Sequence, residues 1–148
     1  MSKIIVFDID GTIADCTHRL HHVKKDNPDW KAFFEDCVND TPIENMCDMS
    51  IVLSECYDII FCTGRSEECR EQTEKWLNKH VNTNTVLMRK EGDHRPDTVV
   101  KKELLEEFLK KQNLTKDHVV TIYEDRQSVV DMWRDNGYHV CQVAKGYF

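Results

Sequence analysis

The sequence predicts an α/β protein built on a five-stranded parallel sheet, on three observations. Short β-branched apolar runs recur five times, segments with helical spacing lie between most of them, and the unusual polar residues stand just after the runs. The first strand is residues 3–8 (KIIVFD), and the others are residues 57–62, 85–88, 118–123 and 138–143. Helical spacing covers residues 66–80, 97–112 and 127–136, with Ser66 and Asp97 placed as N-caps and Gly137 as the C′ residue of the last helix. Strand and helix alternate, so right-handed crossovers should make the sheet parallel, with helices on both faces. The exception is the stretch before the second strand, where about two short helices, near residues 28–36 and 43–56, are expected. They would form a small helical insertion around residues 16–56, a flap and no large cap domain.

With 148 residues, the chain has the length of one ordinary domain, 1–148. It is 40% hydrophobic and 32% charged, a globular composition, and no apolar run reaches the length of a membrane span. The opening MSKIIVFDIDGT enters the first strand at once, leaving no room for a leader, so a cytoplasmic location is expected. Seven cysteines without a C-x-x-C pair fit reduced thiols better than a disulfide framework or a zinc site. Cys16, His18, His21 and His22 match no specific metal spacing and read as a solvated helix face. The net charge of −7 argues against broad affinity for a polyanion, so any nucleic-acid role must rest on a local basic site.

In an open parallel sheet, ligands bind beyond the carboxyl ends of the strands. Asp8 and Asp10 follow the first strand, Thr63-Gly64-Arg65 the second, and Glu124-Asp125 the fourth. In Asp8-Ile9-Asp10-Gly11-Thr12, two carboxylates leave an extended chain just where a glycine lets it turn, so both can serve one site. A carboxylate can attack phosphorus, and a neighbouring acid can protonate the departing alkoxide and then deprotonate water. Asp8 suits the first role and Asp10 the second. Two anions would repel a phosphate, which calls for a hard cation with oxygen ligands; Mg2+ fits, with Asp125 as the distant ligand. Thr63 offers a hydroxyl and Gly64 a backbone N–H to phosphoryl oxygens at a helix N-terminus, and Lys101 is the candidate cation for the transferring group. Read alone, each of these pieces has a plainer meaning: a capped helix entry at Ser66, a solvated lysine beside Lys102, a helix cap at Glu124-Asp125.

Taken in order, Asp8-x-Asp10-Gly11-Thr12, Thr63, Lys101 and Glu124-Asp125 resemble the four motifs of the haloacid dehalogenase (HAD) superfamily. That resemblance implies a Rossmann-like three-layer sandwich with the first strand central, an aspartyl-phosphate intermediate, and Mg2+ held by the Asp8 carboxylate, the Asp10 main-chain carbonyl and Asp125, with Glu124 either a direct ligand or behind one. Residues 91–93, 95–101, 124–127, 130–134 and 142–148 further resemble the phosphatase domain of bacteriophage-type polynucleotide kinase/phosphatase, where the corresponding Arg19, Arg65 and Asp97 are functional. The fourth motif reads Glu-Asp where that family usually has two aspartates, and no G-x-x-x-x-G-K-[ST] occurs, so a phosphatase without a kinase half is expected.

The resemblance implies a polynucleotide 3′-phosphatase acting on 3′-phosphorylated nucleic-acid ends in end healing and repair. Arg19, Arg65, Arg89, Lys90 and Arg95 are candidates for a local basic rim, with scattered surface charge the plainer reading of Arg89 and Lys90. The same catalytic groups would serve a phosphatase of mononucleotides or other small phosphomonoesters. A non-catalytic binding module is the reading of another class, and the intact acids, Thr63 and Lys101 argue against it. Trp76 and Trp133 are expected to pack against the sheet and not to stack bases.

Overall fold

A computed structural model describes residues 3–82 and 85–148. In chain order its elements are β1 (Ile4–Phe7), β2 (Ala14–Asp15), α1 (Trp30–Glu35), β3 (Thr41–Pro42), α2 (Glu44–Leu53), β4 (Asp58–Ser66), α3 (Arg70–His80), β5 (Thr85–Arg89), α4 (Asp97–Lys111), β6 (Val119–Glu124), α5 (Gln127–Asp135) and β7 (Val140–Gln142), with short 3-10 turns between several of them. The main sheet has five strands in the order β5-β4-β1-β6-β7, and every pairing in it is parallel. The expected α/β sandwich is the fold observed.

Both faces of β1 are buried, and its side chains alternate between two cores as a strand's period of two requires. Ile5 and Phe7 join Ile59 and Phe61 of β4 and Trp76 and Leu77 of α3 on one face. Ile4 and Val6 join Ile60 and Cys62 on the other, beneath Leu105 and Leu109 of α4 and Val129, Val130 and Trp133 of α5. At roughly 1.5–3 kcal/mol for each large apolar side chain removed from water, these two layers are the main force fixing β1 in the centre. Trp76 and Trp133 are each 1% exposed, as expected of packing residues.

The insertion is narrower than expected. An antiparallel ribbon, Ala14 opposite Pro42 and Asp15 opposite Thr41, pinches off the flap between them. The helix that follows, α2, packs Cys47 into the first core with Met46, Ile51 and Leu53 against it, so it belongs to the sandwich.

Two expected caps are corrected. Ser66 does not open a long helix: β4 runs on to pair Ser66 with Arg89, Ser66 caps only a 3-10 turn by accepting from Glu68 N at 3.2 Å, and α3 starts at Arg70. Sheet pairing outweighs the turn chemistry of Gly64 and Ser66, so Thr63 and Gly64 lie on a strand and not at a helix N-terminus. Asp97 is the first residue of α4, with Pro96 at the N-cap, and its carboxylate turns away to two arginines.

Candidate active site

The strand order brings the ends of β4, β1 and β6 side by side, and the acidic motifs meet there. At its core Lys101, arriving from α4, donates from Nζ to Asp8 Oδ1 at 2.8 Å and to Glu124 Oε2 at 2.9 Å. All three are buried. Burial works against the charged lysine, but the carboxylates of Asp8 and Glu124 outweigh it and hold the ammonium well above its usual pKa. Thr12 donates to Asp8 Oδ2 at 3.2 Å and approaches Asp125 Oδ1 at 3.5 Å, which fixes the nucleophile candidate from its second side.

Asp8, Glu124 and Asp125 each offer a carboxylate oxygen within 4.8 Å of the others, the one group of three or more such ligands among the described residues. Burial, then the charge of Asp8, pushes Asp125 up to about 7 and raises Glu124 well above the carboxylate range. Crowded acids with one ammonium among them form an oxygen donor set that suits a hard divalent cation. Gly11, at φ +83°, makes room for it: a Cβ there would lie 2.1 Å from Asp125 Oδ2. Glu124 is already committed, with Oε2 on Lys101 and Oε1 accepting from the backbone N–H groups of Asp125 and Arg126.

Asp10 faces a second cluster. Its carboxylate accepts from Arg19 Nη2 at 2.9 Å and Arg65 Nη2 at 2.7 Å, and its side chain stays 32% exposed. Burial favours the neutral acid, but Arg65 and then Arg19 outweigh it and hold Asp10 below the usual carboxylate pKa. Both arginines are buried, and their shared partner is Asp40, fully buried, which accepts from Arg19 Nε and Arg65 Nη2 at 2.8 Å each. Sequence reasoning missed Asp40 and Thr12. Thr12 could have been found from its place in the D-x-D-G-T motif; Asp40 carries no local signal, since it lies in the flap 21 and 25 residues from the two arginines it holds.

The remaining candidates form the edge. Thr63 is buried and its hydroxyl accepts from Arg65 N at 3.1 Å, so it shapes the turn of chain that presents Arg65. Asp97 sits so close to Gly64 that a Cβ there would be 2.5 Å from its Oδ1, and it pairs with Arg89 and with Arg126 at 3.4 Å. The expected basic rim is therefore partly neutralised: Arg89 is tied to Asp97, and Arg95 to Asp93 and Glu103 at 2.9 and 2.7 Å. His21 and His22 lie ring to ring at 4.0 Å, and His18 and His22 both face Asp36, but among the described residues they form no group placed to hold a metal. His18 bonds Asp40, His22 bonds Asp36, and His21 bonds the carbonyl of His18.

The family model described as the polynucleotide kinase PNKP phosphatase domain matches residues 2–148. A protein of Autographa californica nuclear polyhedrosis virus, named as a bifunctional polynucleotide kinase/RNA ligase, is 26% identical over 137 residues, which cover 90% of this chain and 18% of that one. Among solved structures, a chain of the Pnkp1/Rnl/Hen1 RNA repair complex superposes with a TM-score of 0.80 at 26% identity, covering 99% of this chain and 44% of that one. A haloacid dehalogenase-like hydrolase of Streptococcus pneumoniae shares the fold, with a TM-score of 0.70 at 15% identity over 95% of this chain and 84% of its own. The chain thus spans less than half the length of the kinase-bearing and repair-complex relatives it matches. No helix among the described residues is long and apolar enough to cross a membrane. With the match running over nearly every residue and the four acidic and basic motifs gathered at one end of the sheet, the chain belongs to the family of polynucleotide kinase (PNKP) phosphatase domains, within the HAD superfamily of phosphatases.

Proposed function

We propose that the chain folds as one phosphatase domain that removes the terminal phosphate from 3′-phosphorylated nucleic-acid ends, with Mg2+ as cofactor. The observation that carries this reading is the contact of Lys101 with Asp8 at 2.8 Å, at the carboxyl end of the central strand. It pairs a buried, oriented carboxylate with a cation able to neutralise a transferring phosphoryl group.

In the first step an Asp8 carboxylate oxygen attacks phosphorus, the Asp8 O–P bond forms, and the bond to the 3′-oxygen breaks as Asp10 gives that oxygen a proton. In the second, Asp10 takes a proton from water, the water oxygen attacks phosphorus, and inorganic phosphate leaves with Asp8 restored. Asp10 is ionised while Arg65 and Arg19 hold it, so it must let go of them and take up a proton from solvent before it acts as an acid, and a phosphate dianion, which matches the guanidinium fork, is the ligand able to take them. Thr63, Gly64 and Asp97 support Arg65 and the edge of the site. Mg2+, held by Asp8, Asp125 and the Asp10 main-chain carbonyl with Glu124 beside it, would supply positive charge against the phosphate oxygens.

The test is Mg2+-dependent phosphate release by wild type and Asp8→Asn from a 3′-phosphorylated oligonucleotide, its 5′-phosphorylated twin, and 3′- and 5′-mononucleotides. Preference for the 3′-phosphorylated strand, abolished by Asp8→Asn, is expected. Equal or better turnover of mononucleotides would make the protein a nucleotidase, and no turnover at all would remove the enzyme reading.

A further inference from the structure

Among the three tryptophans, Trp30 alone faces solvent: it is 55% exposed, against 1% for Trp76 and Trp133. It stands at the start of α1 on the flap, and the helix is held at both ends of its ring cluster. Asp29 caps the helix by accepting from Ala32 N at 3.0 Å. Phe34 packs against the first core, Phe33 stacks on Phe34 at 5.9 Å and 17°, and Trp30 leans on both at 5.8 and 6.0 Å.

This cluster is joined to the site by one side chain. The guanidinium of Arg19 lies 4.3 Å over the Phe33 ring, its Nη1 donates to the Phe33 carbonyl at 3.3 Å, and its Nη2 grips Asp10 at 2.9 Å. An indole left 55% exposed is thereby linked, through Phe33 and Arg19, to the acid–base carboxylate.

We propose that Trp30 is a stacking platform for a nucleobase at the 3′ end of the substrate strand. The inference rests on the polynucleotide reading above and specifies how that site recognises its substrate. A chain of net charge −7 gains little from long-range attraction to a polyanion, and its rim arginines Arg89 and Arg95 are paired with acids. Beyond the terminal phosphate, an uncharged contact can add to the hold on a strand end, and a base stacks on an aromatic face whatever its sequence.

The experiment compares a 3′-phosphorylated oligothymidylate with a twin whose last two nucleotides lack bases, on wild type, Trp30→Ala and Trp30→Phe. Wild type is expected to show a KM about 10-fold lower for the base-bearing strand, Trp30→Ala a ratio near one, and Trp30→Phe most of the wild-type ratio. Quenching of tryptophan fluorescence by the base-bearing strand should vanish in Trp30→Ala. An unchanged ratio in Trp30→Ala, or equal loss on both strands without a change in ratio, overturns the platform alone. Failure of wild type to hydrolyse either strand while it turns over another phosphomonoester overturns the polynucleotide reading and the platform with it.

Discussion

Asp40 Oδ2 accepts from Arg65 Nη2 at 2.8 Å, in a pair from which water is excluded on both sides. The same carboxylate holds Arg19, so one flap residue sets the position of two cations that reach Asp10. Removing one member of a buried ion pair leaves uncompensated charge, at a cost of about 3–5 kcal/mol. Asp40→Ala should lose that much stability in denaturant unfolding and release Arg19 and Arg65 from their shared geometry. Asp40→Asn, which keeps the shape, should fold better yet still lower kcat/KM by at least about 10-fold.

Lys101 answers to Asp8 and Glu124 together. Lys101→Met should cut kcat by about 10²–10³-fold, the usual scale for removing one preorganised charge partner of a transition state. The binding of a 3′-phosphorylated strand to the variant, followed by fluorescence, should weaken much less than turnover does. A variant with wild-type kcat would remove Lys101 from the chemistry.

Gly11 leaves no room for a methyl group beside Asp125, and its φ of +83° disfavours any other residue. Gly11→Ala should displace the Asp125 carboxylate and raise the Mg2+ concentration needed for half-maximal activity by about 10–100-fold, the range seen when a metal ligand loses its support. A magnesium titration at fixed substrate measures this.

Asp125, raised from 3.8 to about 7 in the metal-free protein by burial and by Asp8, makes stability depend on pH in a defined sense. The folded state binds the extra proton, so its contribution is complete below about pH 4 and is lost as pH rises through 7. In EDTA, the Tm should therefore fall between pH 5.5 and about 8. Added Mg2+ should raise Tm more at the upper end, where the carboxylates are charged and compete least with protons. A Tm gain from Mg2+ that is the same at both pH values would contradict the assignment of Asp125 to the metal.

The sequence pattern carried the sheet well because β1 and β4 are buried on both faces, and such strands read as unbroken apolar runs. The acids of Asp8-x-Asp10 and Glu124-Asp125 were legible for the same reason, since each stands where an apolar run stops. The end of β4 was not, because Gly64 and Ser66 have turn chemistry that only the pairing of Ser66 with Arg89 overrides. Arg19 and Arg65 were recognised by resemblance, whereas Asp40 was invisible: a single aspartate in an irregular flap acquires its meaning only when folding brings two distant guanidinium groups to it.

The central place of β1 has a consequence for how the molecule is made. Ile4–Phe7 is the earliest of the sheet's strands to be synthesised, yet Ile4 must pair with Asp58 on one side and with Val119 on the other. Its nucleophile candidate waits for Lys101, 93 residues later. A growing chain therefore carries an apolar strand with two open edges until β4 has been translated and with one until β6 has, a state prone to mispairing. The sheet and the acidic cluster are therefore both complete only once β6 has been made, and truncations ahead of Glu124 should aggregate before they show any residual activity.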